Sequence, residues 1–276
     1  LVEGARRSAR LEGCAVGALT RPAAARAAVE RLRAAAFAAV GLVASDVPEM
    51  PWNAPLGPRR RLAFARLPMD GVRRVRAARG GTVNDVVLSV IAGGLHRYLR
   101  DAGSDVRGIE LTALVPVSLR PAGEARSLGN RISALLVPLC VDLPEEVPRL
   151  AATRVLTEQL KERSAWVGID ALLSLLDGLP PALVQAVGRR VGIPRLANLI
   201  VTNVPGPRET RFLARTRVEA LLPVVPLADG LGLGIAVFSY DGSLHVGLHA
   251  DGHLLPDLEK LRRSVEDAFA SLVGGA

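Results

Sequence analysis

The sequence predicts a layered α/β (α+β) fold in which a mixed β-sheet is packed by helices. Three observations lead there. Strand-like and helix-like segments are interleaved without a strict β-α-β rhythm. A chain of 276 residues, 49% of them hydrophobic, can bury a large core. No uninterrupted apolar run approaches the ~18 residues needed to span a membrane. Proline at 19 and glycine at 27 are near ordinary usage and only 2 residues are cysteine, which with the high apolar content excludes disordered, collagen-like and disulfide-scaffold classes.

Taken in order, residues 1–50 contain alanine-rich helical stretches, chiefly over 21–40, where Leu32, Phe37 and Val40 form only a thin apolar stripe. They read as a helical, basic inter-domain segment that leans on another surface, ahead of one domain over 51–276. Residues 47–60 (VPEMPWNAPLGPRR) carry four prolines and a glycine, which forbid continuous helix and predict an extended tether. Strand-like alternation at Leu62, Phe64 and Leu67 follows, then a short helix from about Asp70. Residues 82–101 are the clearest helix: Val83, Val86, Val87, Val90, Ile91 and Leu95 fall at helical spacing, with Thr82 and Asp85 placed as N-cap and third helical residue. Residues 110–119 read as an interior strand and 131–141 as a strand of mixed polarity. Residues 144–164 form an amphipathic helix with an acidic first turn and Lys161 and Arg163 near its end. Further helix is expected over 169–190, and strands over 196–204, 217–225, 232–240 and 244–250, the last two joined by Asp241-Gly242. A helix closes the chain over 256–272.

The formal charge of +8 is unevenly spread. Residues 1–79 hold 15 arginines against 6 acids, while the remainder is nearly neutral. Of 35 basic residues 33 are arginine, as a GC-rich coding bias produces, and stacking aromatics and basic-helix motifs are missing, so nucleic acid is not an expected partner. Cys14 and Cys140 stand alone, suggesting neither a zinc site nor a disulfide framework, and a reducing cytoplasm fits. The chain opens on Leu1 and its first residues lack the apolar core of a signal peptide, so it is expected to start within a longer protein.

Chemistry-bearing motifs are few: there is no GxSxG elbow, HExxH or helix-opening GxGxxG. Gly230-Leu231-Gly232-Leu233-Gly234 runs into a strand and reads as packing. His245, His249 and His253 sit in a strand-like stretch where four residues span ~13 Å, too far for one metal ion. The capping box accounts for Thr82 and Asp85 and leaves Asn84 over, either to bind polar substrate atoms or to tie neighbouring loops. Pro116-Val117-Ser118-Leu119-Arg120 ends an apolar strand on a cationic tip, either ligand-facing or solvated. Leu128-Gly129-Asn130 and Thr202-Asn203-Val204-Pro205-Gly206-Pro207 are turn chemistry.

In succession, WNAPLGPRRR at 52–61, TVNDVVLSVIAGGLHRYL at 82–99, LVPVSLR at 114–120, LGNRIS at 128–133, TNVPGP at 202–207 and SYDGSLHVGLHAD at 239–251 resemble the C-terminal half of the bacterial wax ester synthase/diacylglycerol acyltransferase family. The resemblance spans about residues 51–273. It implies a CoA-dependent acyltransferase-like domain, one of two that enclose a channel, and transfer of a long-chain acyl group from CoA to a fatty alcohol or diacylglycerol. Acyl-CoA is then substrate, and no cofactor or metal is implied. The family's HHxxxDG signature, whose second histidine is the general base, is not found in this chain. His249-Ala250-Asp251-Gly252 lacks the paired histidines and the spacing, so no residue here is assigned the base and the chain alone is expected to be inactive. The resemblance maps the family's ND motif onto Asn84 and Asp85. Together with Ser118, Arg120, Asn130 and Asn203 these are expected to bind substrate or brace the channel wall facing the N-terminal domain. Arg59, Arg60 and Arg61 are candidate contacts for CoA phosphates or an anionic lipid surface. The expected location is cytoplasmic, peripheral on the inner membrane or lipid droplets. The alternatives are a non-catalytic lipid- or membrane-binding module and a condensation-type acyltransferase.

Overall fold

A computed structural model of the chain describes residues 47–118, 132–162, 196–207 and 209–276. The helices expected over 21–40 and 169–190, and the candidates Arg120 and Asn130, lie outside the described residues. The elements are β1 (Arg60–Pro68), α1 (Met69–Arg79), α2 (Val83–Asp101), β2 (Leu111–Ser118), β3 (Ile132–Leu139), α3 (Glu146–Glu162), β4 (Leu199–Val204), β5 (Phe212–Leu213), β6 (Thr216–Arg217), β7 (Leu233–Tyr240), β8 (Ser243–Asp251) and α4 (Leu258–Gly274). Six strands form one mixed sheet in the order β1-β8-β7-β4-β2-β3, and β5 and β6 make a separate small hairpin. Strands β7, β4 and β2 run parallel, while β8 and β3 run against their neighbours. The layered α/β expectation is met.

Strand periodicity decides which side chains enter the core. Ala63, Ala65 and Leu67 of β1, Leu244, Val246 and Leu248 of β8, and Leu233, Ile235 and Val237 of β7 meet α2 and α4 in one buried cluster. The stripe expected from Leu62, Phe64 and Leu67 has the wrong phase, because an even and an odd position cannot share a strand face. Leu62 is 51% exposed, and Ala63 and Ala65 occupy inward positions alongside Leu67. Helix α2 is buried on nearly every side over Asp85–His96, and its glycines make that possible. A Cβ on Gly94 would lie 2.5 Å from Val265 Cγ2 and 2.9 Å from Val265 Cα of α4. A Cβ on Gly93 would meet the buried Arg149 guanidinium of α3 at 2.5 Å.

The opposite sheet face is covered by coil. Val225 and Leu231 pack on Ile200 and Ala236. Pro223 lies so close to β8 that a Cβ on Gly247 would fall 1.9 Å from its carbonyl oxygen. The strand expected over 217–225 therefore shrinks to Thr216–Arg217, since Pro223 and Pro226 have no N–H to offer a ladder. The Asp241-Gly242 hairpin is as expected, with φ of 44° and 75° at the two positions.

Residues 47–58 are docked rather than extended away from the body. The fully buried Asn198 holds them: its amide donates to Pro48 O at 2.7 Å and Asn53 Oδ1 at 3.1 Å, and its Oδ1 accepts Thr112 N–H at 2.8 Å. Asn198 O also accepts the Trp52 indole N–H at 2.9 Å, and Gly232 N–H binds Trp52 O at 2.8 Å. Proline-rich sequence breaks helices, yet its carbonyls and the Trp52 ring find partners on the sheet.

Asp251 closes the same end of the sheet. Its carboxylate is fully buried and accepts His253 N–H at 2.9 Å, Leu254 N–H at 3.2 Å, Gly57 N–H at 2.7 Å and Arg60 Nη1 at 3.2 Å. Burial alone pushes its pKa up, but the three backbone donors and the Arg60 cation outweigh burial and hold it below the usual carboxylate range.

Two outcomes are expected. Because the folded pKa of Asp251 is depressed, its contribution is fully present above the ordinary carboxylate value of about 4 and is lost as pH falls through the lower folded value. Asp251→Asn, which turns an acceptor toward N–H donors into a donor, costs about 2 kcal/mol at pH 7 and flattens the acid limb of the stability curve, read from urea midpoints across pH. Gly94→Ala, worth about +1 kcal/mol in an exposed helix, instead costs about 1–3 kcal/mol here, measured by urea unfolding.

Candidate functional site

The N-terminus of α2 is set by its own residues. Thr82 Oγ1 accepts Asp85 N–H at 3.2 Å, and Asp85 Oδ2 accepts Thr82 N–H at 2.7 Å, completing the capping box. The second carboxylate oxygen accepts the Thr157 hydroxyl of α3 at 2.7 Å. Asp85 is buried and occupied on both oxygens, so it braces the site. Asn84 is free of the cap, as expected. Across 119 residues of sequence, Asn203 Nδ2 of β4 reaches Asn84 Oδ1 at 3.5 Å, a long, weak hydrogen bond between half-buried amides. Among the described residues the Asn84 NH₂ and the Asn203 carbonyl have no other partner. The pair therefore offers one free donor and one free acceptor at the carboxyl ends of the parallel strands β4 and β7, the end where ligands bind in α/β sheets.

The TNVPGP turn is stapled at this end. Gly206 N–H donates to Ser239 Oγ at 3.0 Å, and a Cβ on Gly206 would fall 2.1 Å from Ser239 O. Only glycine permits that approach. Ser118 closes β2 and pairs with Ile132, and the β2–β4 register places it at the same end of the sheet as Asn203. The β2–β4 register thus puts Ser118 at the same end as Asn203, and the Asn203–Asn84 contact brings Asn84 and its neighbour Asp85 to that end.

Arg59, Arg60 and Arg61 lie at the other end. Arg60 opposes Asp251 while Pro68 opposes Ser243, so the length of the nine-residue β1 separates the two ends. At ~3.3 Å per residue that is roughly 26 Å. Arg60 is bound to Asp251 and to Gly57 O, a structural role. Arg59 and Arg61 are exposed beside Gly252 and border an open cleft of about 390 Å³.

No histidine joins the Asn84–Asn203 pair among the described residues. His96 Nδ1 meets Val141 O at 2.7 Å and His249 Nδ1 meets Val225 O at 2.8 Å. His245 is 2% exposed, packs tilted on Tyr240 at 6.3 Å, and has its pKa pushed down by burial and then by Arg66. No group of three or more His, Cys, Asp or Glu able to hold a metal occurs among the described residues. Two polar residues that organise the domain escaped the sequence reading. Asn198 shows only as a lone amide inside an apolar strand, and Asp251 shows only as part of the His249-Ala250-Asp251-Gly252 string that fails to match HHxxxDG, with no sign of its buried structural role.

Two family models match. The wax ester synthase/diacylglycerol acyltransferase catalytic domain matches residues 5–87, and the C-terminal domain of the same family matches residues 128–273. The four histidines are His96, His245, His249 and His253, so the stretch matching the catalytic-domain model contains none. A putative diacylglycerol O-acyltransferase of Mycobacterium tuberculosis is 32% identical over 225 residues, covering 80% of this chain and 45% of the relative. A probable diacylglycerol O-acyltransferase of the same species is 33% identical over 223 residues, covering 80% and 48%. The chain thus spans about half the length of the curated relatives it matches. Among solved structures, the wax ester synthase/diacylglycerol acyltransferase of Marinobacter aquaeolei VT8 superposes with a TM-score of 0.65 at 25% identity, over 90% of this chain and 55% of that one. The first condensation domain of the CDA synthetase shares the fold, with a TM-score of 0.54 at 18% identity over 91% and 52%. On these matches the chain belongs to the wax ester synthase/diacylglycerol acyltransferase family.

Proposed function

We propose that this chain is the C-terminal part of an O-acyltransferase that moves a long-chain acyl group from CoA to the hydroxyl of diacylglycerol or a fatty alcohol, yielding triacylglycerol or wax ester. In that reaction the acceptor oxygen attacks the thioester carbonyl, the C–S bond breaks, and the thiolate leaves with the proton taken from the hydroxyl. The general base would be an imidazole of an HHxxxDG-bearing N-terminal domain, a group suited to titration near neutrality. This chain would supply channel wall and binding groups, with the Asn84 amide and Asn203 carbonyl holding polar atoms of the substrates. The observation that carries the reading is the convergence of Asn84 and Asn203, each from a family motif, at one end of the parallel strands.

Acceptor and product are apolar, which supports a cytoplasmic enzyme with peripheral contact to the inner membrane or lipid droplets, Arg59 and Arg61 facing lipid phosphates. Among the described residues no helix is long and apolar enough to cross a membrane.

In the full-length enzyme assayed with palmitoyl-CoA and either acceptor, Asn84→Ala and Asn203→Ala are each expected to lower kcat/KM about tenfold or more, with melting temperature unchanged. The double variant should fall little below the worse single, because the two amides act together. Wild-type turnover in both singles would remove the pair from the reaction. Residues 1–276 alone are expected to give no product; turnover by this chain without an N-terminal domain would place the base within it.

A further inference from the structure

A second feature stands beside Asn84 and Asn203. The segment Met69–Arg76 of α1, the Pro205-Gly206-Pro207 turn and the β7–β8 hairpin enclose a cleft of about 500 Å³. Its size falls within the roughly 300–1,000 Å³ of small-molecule sites. Val83 and Pro205 are in its wall, so it adjoins both asparagines. Met69 and Val83 give it an apolar side, and Arg73 and Arg76 give it a cationic one.

The charges of this cleft are unevenly committed. Asp241, an acid in its wall, is occupied on both oxygens, by Thr210 Oγ1 at 3.0 Å and Arg217 Nη2 at 2.6 Å. Arg76 is anchored through Nε to Gly81 O at 3.0 Å, and among the described residues its terminal nitrogens have no acceptor. Among the described residues Arg73 binds only Asp70, one turn away, in a pair whose side chains are 69% and 85% exposed. Such exposed pairs are weak and readily exchanged for a stronger acceptor. Two arginines on one helix face, one pre-positioned and one available, suit a phosphorylated group, since guanidinium donors pair with phosphate oxygens in charge-assisted bonds.

We propose that the cleft between α1 and the β7–β8 hairpin binds the phosphates of CoA through Arg73 and Arg76. It rests on the acyl-CoA reading above and names the subsite that reading lacks. An anionic head held here lies beside Asn84 and Asn203, whereas Arg59 and Arg61 are a full strand length away. The apolar side of the cleft accommodates the less polar arm that leads from the phosphates.

The test is calorimetric titration of CoA into the 276-residue chain at low salt, with dephospho-CoA and inorganic pyrophosphate as comparison ligands. Arg73→Glu/Arg76→Glu is expected to weaken CoA binding at least tenfold, and Arg59→Glu/Arg61→Glu to leave it unchanged. Dephospho-CoA binding as tightly as CoA, with pyrophosphate competing, assigns the cleft to the pyrophosphate; weaker binding assigns it to the 3′-phosphate. Both arginines are exposed, and Arg73→Gln/Arg76→Gln with an unchanged melting temperature separates charge loss from misfolding. Undiminished affinity in the Arg73/Arg76 variants, loss in the Arg59/Arg61 variant instead, or no CoA binding at millimolar concentration would overturn the proposal. Failure of the full-length enzyme to acylate either acceptor would overturn the acyltransferase reading whatever the cleft binds.

Discussion

The candidate site depends on one buried carboxylate. Asp85 accepts the Thr82 N–H with one oxygen and the Thr157 hydroxyl with the other, so the start of α2 is fixed to its own cap and to α3 at once. A carboxylate removed from water requires such partners, and here they hold the first helical turn in place. Asn84, one residue away, is thereby presented to Asn203 of β4. Helix α2 can occupy the centre of the helical layer because Gly93 and Gly94 leave no side chain where Arg149 and Val265 approach.

The sheet converts sequence distance into two chemically different ends. With β7, β4 and β2 parallel, their carboxyl ends gather Asn203, the Gly206–Ser239 staple and the backbone of Ser118, with Asn84 above them. The opposite end is structural: Asn198 ties down the proline-rich entry segment, and Asp251 collects three N–H groups and Arg60. The arginine cluster that looks most like an anion site in the sequence thus sits partly neutralised at the far end. Arg73 and Arg76, unremarkable among neighbouring arginines, line the cleft beside the asparagines.

What could be read in advance follows local rules. The capping box at Thr82 and Asp85, the apolar spacing of α2 and the Asp241-Gly242 hairpin are specified within a few residues each, and all three are present. The phase of β1 is masked in the sequence because two of its three inward positions, Ala63 and Ala65, are alanines while the larger Leu62 faces out. Residues 217–225 look strand-like by composition, but Pro223 and Pro226 make them a cover for the sheet. The docking of Trp52 was hidden for a different reason: proline content reports where helix stops, not which surface supplies the missing partners.

The sequence by itself determined the fold class, the elements with strong local signals and the set of polar residues from which a site could be built, because caps, turns and periodicity act over a few residues. Only the tertiary structure decided which of those residues meet. It joined Asn84 to Asn203, assigned Arg60 to Asp251, and made Asn198 the anchor of the entry segment. Those pairings span 119, 191 and about 150 residues, and they are set by strand order and register, which no local pattern encodes.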